Sequence, residues 1–403
     1  MLGILDDVKI VEIGGGLSGS FCGKLLADQG ADLLKIEKPG RGDQARYEPP
    51  FIGEDLSGTQ SSLFLAFNTN KKGITLSLDT PSGRELFLRI IQDVDVIIES
   101  FPVGFLDSLG VGFAEINRIN PRAILTSITY YGQTGPWKDY KGSELTTEAV
   151  GGFLHAVTGS EDKPPMGTAL EQMEGITGGR NGAIATMAAL FAQKQTGNGR
   201  HVDLSTVEAT VSVPSGLIHP FTLTGKSPLR GGSDGNVMDG MHLPTKDGEV
   251  TLTTAGTGGR PMETWAEFLG EPELTNPKFS SRRGRLEHWK ELHDLVAPKL
   301  AQWSNLDLMS ATMEKGLVIG LVLSPEQVVN SPHLEARECF VDIDHPDVGN
   351  LKYAGPGFLV DGVNPMMGSQ PAPRLGQHND KIYCDQLGLS GQELGQLYAS
   401  GVI

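Results

Sequence analysis

Short apolar runs alternate with amphipathic stretches through the first 135 residues, and that alternation limits the fold more than any other feature of the chain. Val8 to Ile13 (VKIVEI) is rich in β-branched residues and predicts a strand. Leu17 to Gln29 predicts a helix, and Ala31 to Glu37 (ADLLKIE) a second strand. Gly73 to Leu78 (GITLSL), Ser82 to Gln92, Asp95 to Glu99 (DVIIE) and Ala123 to Ile128 (AILTSI) continue the βαβ pattern. Strands that read as unbroken apolar runs are buried on both faces, so the class is α/β, with a mostly parallel sheet covered by helices.

Further along, Gly151 to Gly167 is turn-rich, and the small and apolar residues from about Leu170 to Gln195 predict a tightly packed helix. HVDLS, after the turn at Gly197 to Gly199, reads as another strand. Leu223 to Gly240 is rich in Gly and Ser and reads as a linker or mobile loop into a smaller unit. That unit holds a strand at Val250 to Thr254 and helices near Glu263, Trp289 and Leu306. The Pro- and Gly-rich tail ends in a helix from about Gly391 to Tyr398.

Charge excludes some functions. The chain carries 33 Lys and Arg against 49 Asp and Glu, a net −16 that repels a phosphate backbone and an anionic membrane surface, so neither nucleic acid nor membrane is expected as a partner. Cys22, Cys339 and Cys384 are scattered, without a CxxC, so neither a disulfide framework nor a zinc ribbon is expected. A reducing, cytoplasmic location fits this usage. MLGILDDVKI places two aspartates where a signal peptide needs a cationic and then an apolar stretch.

Gly14, Gly16 and Gly19 form G-x-G-x-x-G between a predicted strand and helix, and Glu37 closes the second strand. This is a dinucleotide-binding layout: glycines admit a pyrophosphate to the helix N-terminus and the acid takes the ribose hydroxyls, as in an NAD-dependent dehydrogenase. Glu37, however, runs into the cationic turn Lys38-Pro39-Gly40-Arg41-Gly42-Asp43, and no hydride-transfer site follows. Glycines at such a turn also serve tight packing alone.

Taken in order, VKIVEIGGGLSGS, LLADQGADLLKIEKPGRGDQAR, FNTNKKGITLSLDTPSGRE, DVIIESFPVGFLDSLGV, INPRAILTSITYYGQTGP, TGNGRHVDLSTVEA, SPHLEARECFVDIDHPDVG and LGQHNDKIYCDQLGLS resemble the class III CoA-transferases. That family includes formyl-CoA transferase, the carnitine CoA-transferase and alpha-methylacyl-CoA racemase. The resemblance implies a large domain with a Rossmann-like sheet over residues 1–222, completed by 330–403, with linker and small domain over 223–329. It also implies an interlocked dimer whose site lies between the large domain of one chain and the small domain of the other. Coenzyme A arrives as an acyl-CoA substrate, with no permanently bound cofactor. Leu17, Ser18, Lys38, Asn70, Lys71, Lys72, Ser100, Phe101 and Lys141 occupy the positions matching the family's CoA contacts. With Arg41, Arg46 and Lys138, these lysines concentrate cations in an acidic protein, as phosphates require, though each one also suits a solvated loop. The family's usual Arg-Pro-Gly after the fourth strand is here Pro102-Val103-Gly104, so one basic contact is missing.

In the family's transferases an aspartate at the start of the long Gly/Ala-rich helix attacks the thioester. Counting back without gaps from Thr196-Gly197, that place falls on Gly175, which has no nucleophile. Glu171, one helical turn earlier, and the adjacent Glu174 are possible surrogates, although acids in a first turn also suit the helix dipole. The resemblance therefore implies CoA transfer from an acyl-CoA, such as succinyl-CoA, to a carboxylic acid, with two arrangements open. In one, the chain is an aspartate-free subunit whose homologous partner carries the aspartate, an arrangement like heteromeric benzylsuccinate CoA-transferase. In the other, a homodimer uses Glu171 or Glu174. A non-catalytic acyl-CoA-binding scaffold is the non-enzyme alternative. His155 reads as a structural histidine or one facing an acyl group, His288 and His293 have poor metal spacing, and Gly231, Gly232, Gly235 and Gly240 suit a lid or a linker.

Overall fold

The computed structural model describes residues 3–53, 60–157, 164–165, 167, 172–213, 215–227, 241–252 and 261–403. Two compact units result. The first gathers three separated stretches, up to Leu154, Gly167–Ser215 and Glu338–Ile403; the second comprises His155–Met166 and Gly216–Arg337.

The first unit is built on β1 (Lys9–Ile13), β2 (Asp32–Glu37), β3 (Lys71–Thr75), β4 (Val96–Glu99), β5 (Ile124–Thr129) and β6 (His201–Ser205). They form one sheet in the order β3-β2-β1-β4-β5-β6. Every neighbouring pair is parallel. The order reverses between β1 and β4, which makes the C-terminal edge of those strands a switch point. Helices α1 (Leu17–Ala27), α2 (Ser62–Phe67), α3 (Pro81–Ile90), α4 (Phe105–Ser108), α5 (Phe113–Ile119), α6 (Glu144–Val150), α8 (Gly179–Thr196) and α9 (Thr206–Val211) accompany the strands, and α7 (Phe153–Val157) begins in the first unit's last residues before His155. Helix ends follow local chemistry: Pro81 opens α3 while Thr80 Oγ1 accepts the Gly83 N–H, and Gly197, in the left-handed region, closes α8.

Successive strand residues face opposite sides. Val11 and Ile13 of β1 enter one core with Leu34, Ile36, Ile74, Phe87, Ile97 and Tyr383. Ile10 enters the other with Leu26, Leu33, Ile98, Ala183 and Leu190. The chain returns at residue 338 to complete the first core. His378 Nδ1 accepts the Gly73 N–H at 3.0 Å, Asn379 Oδ1 accepts the Thr75 N–H at 2.9 Å, and Tyr383 donates to the Thr75 carbonyl at 2.7 Å. Before that, β10 (Phe340–His345) and β11 (Gly349–Ala354) make an antiparallel pair.

The second unit contains β7 (Met241–Pro244), β8 (Glu249–Leu252) and β9 (Ile319–Val322) as an antiparallel sheet. Trp265, Phe279, Leu292 and Leu300 lie in its core. The glycines at 231–240 and Glu171 lie outside the described residues. Among the described residues, no helix is long and apolar enough to cross a membrane, and no acidic, His or Cys cluster suits a metal.

Candidate active site

A cleft of about 290 Å³ opens at the switch point, lined by Gly14 and Gly15 after β1, Lys38, Arg41 and Asp43 after β2, Leu76 to Asp79 after β3, and Phe101 and Phe105 after β4. Parallel strands leave this edge open because their connections diverge to either side. The walls are apolar, from Ile13, Ile36, Leu76, Leu78 and the two phenylalanine rings, whose centroids lie 4.5 Å apart. Lys38, on the lining, is exposed and pairs with Asp79 at 3.0 Å; Arg41 is also exposed. The cleft thus combines a slot for a flat or apolar group with two cations for phosphate.

Beside the cleft lies a buried ionic cluster built by strand register. Glu12 pairs across β1 and β2 with Lys35, and Lys71 on β3 faces the same side. Lys35 Nζ lies 2.6 Å from Glu12 Oε1 and 2.5 Å from Asp43 Oδ2, while Lys71 Nζ lies 2.7 Å from Glu12 Oε2. All four side chains are at most 1% exposed. The cluster lies under α1, where Gly23 has no side chain: a Cβ there would come within 2.2 Å of Glu12 Oε2. Burial pulls the Lys71 ammonium down to about 8, against the opposing pull of Glu12.

Asp43 changes the meaning of the Gly-rich turn. Gly14, Gly15 and Gly16 all have positive φ, and the Gly16 N–H donates to Asp43 Oδ1 at 2.9 Å. Ala45 N–H donates to the same oxygen at 2.9 Å. A Cβ on Gly15 would lie 2.7 Å from it. Burial pushes the Asp43 carboxyl up, but Lys35 and these N–H donors outweigh it and hold the group below the usual carboxylate range. The chain's own anion fills the position at the α1 N-terminus that a pyrophosphate would take. Glu37 is occupied as well, accepting two bonds from Arg46 at 2.7 and 2.8 Å and the Asp43 N–H at 2.8 Å. The dinucleotide layout is therefore present with both of its ligand contacts satisfied internally, which weighs against the nicotinamide alternative.

The residues matched to CoA contacts divide into groups. Lys38 and Phe101 line the cleft, and Ser100 Oγ beside them donates to the Gly15 carbonyl. Ser18 donates to the Glu174 carbonyl at 2.7 Å, and Leu17 is buried in a cluster with Phe64 and Phe67. Lys71 gives its three donors to Glu12, Ser20 and Asn68. Asn70 bonds Asp28, Ser369 and Gln370, and Lys72 pairs with Asp32 at 2.6 Å. Lys138 and Lys141 are exposed in the loop after β5, and His155, the first residue of the second unit, is exposed.

Where the gapless count places the family's nucleophile, the backbone departs from the predicted helix. Gln172–Gly178 forms a π-helical turn ahead of α8. Glu174 is half-buried and Gly175 buried. Glu174 N–H donates to Glu144 Oε2 at 2.6 Å, so α6 holds this turn from one side and Ser18 of α1 from the other. Sequence reasoning missed Asp43, Glu12, Lys35 and Glu144. Glu12 and Lys35 did carry a signal: charged residues inside otherwise apolar strands demand buried partners.

The profile of CoA-transferase family III matches residues 5–379. The chain belongs to that family. The succinyl-CoA–D-citramalate CoA-transferase of Chloroflexus aurantiacus is 33% identical over 407 residues, covering 99% of this chain and 98% of that protein. The beta subunit of the same organism's succinyl-CoA–L-malate CoA-transferase is 26% identical over 411 residues, covering 99% and 98%. A solved CaiB/BaiF family protein of Brucella suis superposes with a TM-score of 0.80 at 28% identity, over 96% of this chain and 100% of that one. This class III CoA-transferase therefore has the α/β architecture of its family and acts on CoA thioesters.

Proposed function

We propose that this class III CoA-transferase moves CoA from succinyl-CoA to a second carboxylic acid, with the switch-point cleft holding CoA and Glu174 carrying the acyl group. The π-helical turn carries the reading. A gapless count back from Thr196 assumes that no residue is inserted, whereas a π turn is how a helix accommodates an inserted residue, so Gln172–Gly178 is where a slip of one would fall. A slip of one there brings Glu174 to the place counted as Gly175. Its backbone is fixed on both sides by Glu144 and Ser18, the preorganisation a nucleophile needs.

In this reading a Glu174 carboxylate oxygen attacks the succinyl-CoA carbonyl, the C–S bond breaks, and CoA leaves as thiolate. The thiolate attacks the glutamyl carbonyl of the mixed anhydride, releasing succinate and leaving a glutamyl-CoA thioester. The acceptor carboxylate repeats the sequence in reverse, regenerating Glu174, with no net proton, electron or water consumed. Succinyl-CoA as donor is supported by the names of the two Chloroflexus relatives.

Gly175 and the relative named a beta subunit favour a second reading, in which a homologous chain supplies the aspartate. An exposed stripe on α8, Ile184, Met187 and Phe191 at helical spacing, supports pairing with another chain in either case. The purified chain, given succinyl-CoA and a panel of carboxylic acids, separates these readings. Turnover by the chain alone, abolished in Glu174→Gln and accompanied by a CoA adduct on the Glu174 peptide, is the expected result. Turnover that survives Glu174→Gln but not Glu171→Gln transfers the role to Glu171. Succinyl-CoA binding without turnover points to the subunit reading.

A further inference from the structure

We propose that Glu99 is a positioning residue for CoA binding, holding the Ser100–Phe101 wall of the cleft against the Gly14–Gly16 turn. The inference rests on the cleft being the CoA site.

Glu99 is the last residue of β4 and is 5% exposed. Among the described residues it has no cation partner, unlike the buried acids Glu12, Glu37 and Asp43. A buried carboxylate without a cation is expensive to keep, so its hydrogen bonds show what it holds. Glu99 Oε2 accepts the Phe101 N–H at 2.8 Å, two residues ahead. That bond turns the chain sharply out of β4 and directs the Phe101 ring onto Phe105.

The same turn is clamped from the other direction. Ser100 Oγ donates to the Gly15 carbonyl, and a Cβ on Gly14 would lie 3.0 Å from Ser100 N and 3.2 Å from Phe101 N. The two turns that flank the switch point therefore touch, and the width of the cleft follows from how Glu99 sets one of them.

Behind Glu99 a polar chain extends across the sheet. Ser127 on β5 is the cross-strand partner of Glu99, and its hydroxyl lies 2.9 Å from His201 Nε2 on β6. His201 stacks on Phe113 of α5 with centroids 5.3 Å apart. Burial raises the Glu99 carboxyl, opposed by Ser127 and the Phe101 N–H and reinforced by Asp107 and Asp203. Burial also lowers His201, opposed by the same two aspartates. Ser127 thus faces Glu99 from the neighbouring strand while the carboxylate holds the Phe101 N–H in front.

The test is calorimetric binding of succinyl-CoA to the full chain, with thermal stability measured in parallel, so that it does not depend on turnover. Glu99→Ala is expected to weaken binding about tenfold, the size of one charge-assisted hydrogen bond. Glu99→Gln, whose amide oxygen still accepts the Phe101 N–H, is expected to bind within about twofold of the parent. Unchanged binding in Glu99→Ala, or equal losses in both variants, overturns the proposal. If Glu99→Ala does not fold, Glu99→Leu, of similar volume but without an acceptor for the Phe101 N–H, takes its place with the same roughly tenfold weakening expected and no change refuting. Phe101→Ala distinguishes the underlying reading: unchanged affinity there removes the cleft as the CoA site, whereas weakened affinity beside an unaffected Glu99→Ala removes only the role of Glu99.

Discussion

Replacing Asp43 by asparagine removes one charge from a closed cluster while preserving its shape. The amide oxygen still accepts the Gly16 and Ala45 N–H groups, but the amide nitrogen then faces Lys35, which lay 2.5 Å from the lost oxygen. At an effective dielectric of 20, a pair at that distance attracts by about 6 to 7 kcal/mol, and much of this offsets desolvation. Removing one partner of a buried pair costs about 3 to 5 kcal/mol, and Lys35 keeps Glu12 at 2.6 Å, which places the loss near 3 kcal/mol. At about 2 to 4 °C per kcal/mol, Tm falls by roughly 6 to 12 °C at neutral pH. Because the folded Asp43 carboxyl lies below its unfolded value, its stabilisation is present above that unfolded value and is lost as pH falls through the folded one. The gap between parent and variant should therefore persist down to about pH 4 and close in stronger acid. Urea titrations of the parent, Asp43→Asn, Lys35→Met and the double variant give the coupling directly. A loss under about 1 kcal/mol in Asp43→Asn, or no coupling, would refute the reasoning and leave Asp43 as a turn cap only.

Gly23→Ala places a methyl against Glu12 Oε2 and 2.9 Å from Leu33 Cδ1, so a destabilisation of about 1 to 3 kcal/mol is expected in urea unfolding. Glu99 has the opposite sign from Asp43. Its folded carboxyl is raised by burial, so its favourable contribution is complete below the unfolded value and disappears as pH rises through the folded one. Glu99→Gln should therefore be at least as stable as the parent at pH 7 and lose that advantage below about pH 4, as read by Tm against pH.

The strands of the large sheet were legible because β-branched runs such as VKIVEI have one outcome when buried on both faces. The third strand was misplaced. GITLSL reads as a strand over 73–78, but β3 covers Lys71–Thr75, because Glu12 draws a charged residue into the sheet that local pattern assigns to a loop. The Gly-rich turn was legible, while its anion lay 27 residues away inside a cationic turn, where only tertiary structure reveals it. Lys38 and Phe101 were found through the resemblance and line the cleft, whereas the same route gave no warning that Lys71 is enclosed. The π turn was invisible for another reason: QMEGITG has the same composition in either helical form, and one extra residue decides whether Gly175 or Glu174 is counted.

The bonds from His378, Asn379 and Tyr383 to β3 also govern how the molecule is made. They join residues 304 to 308 positions apart, so edge strand β3 emerges from the ribosome long before its partners. At about 5 to 20 residues per second, that interval is roughly 15 to 60 s. During it, the unpaired edge and the open end of the core around Ile74 and Phe87 resemble the surfaces through which incomplete chains associate. Translation speed and chaperone occupancy during that interval thereby govern the yield of native protein, independently of how stable the finished sheet is.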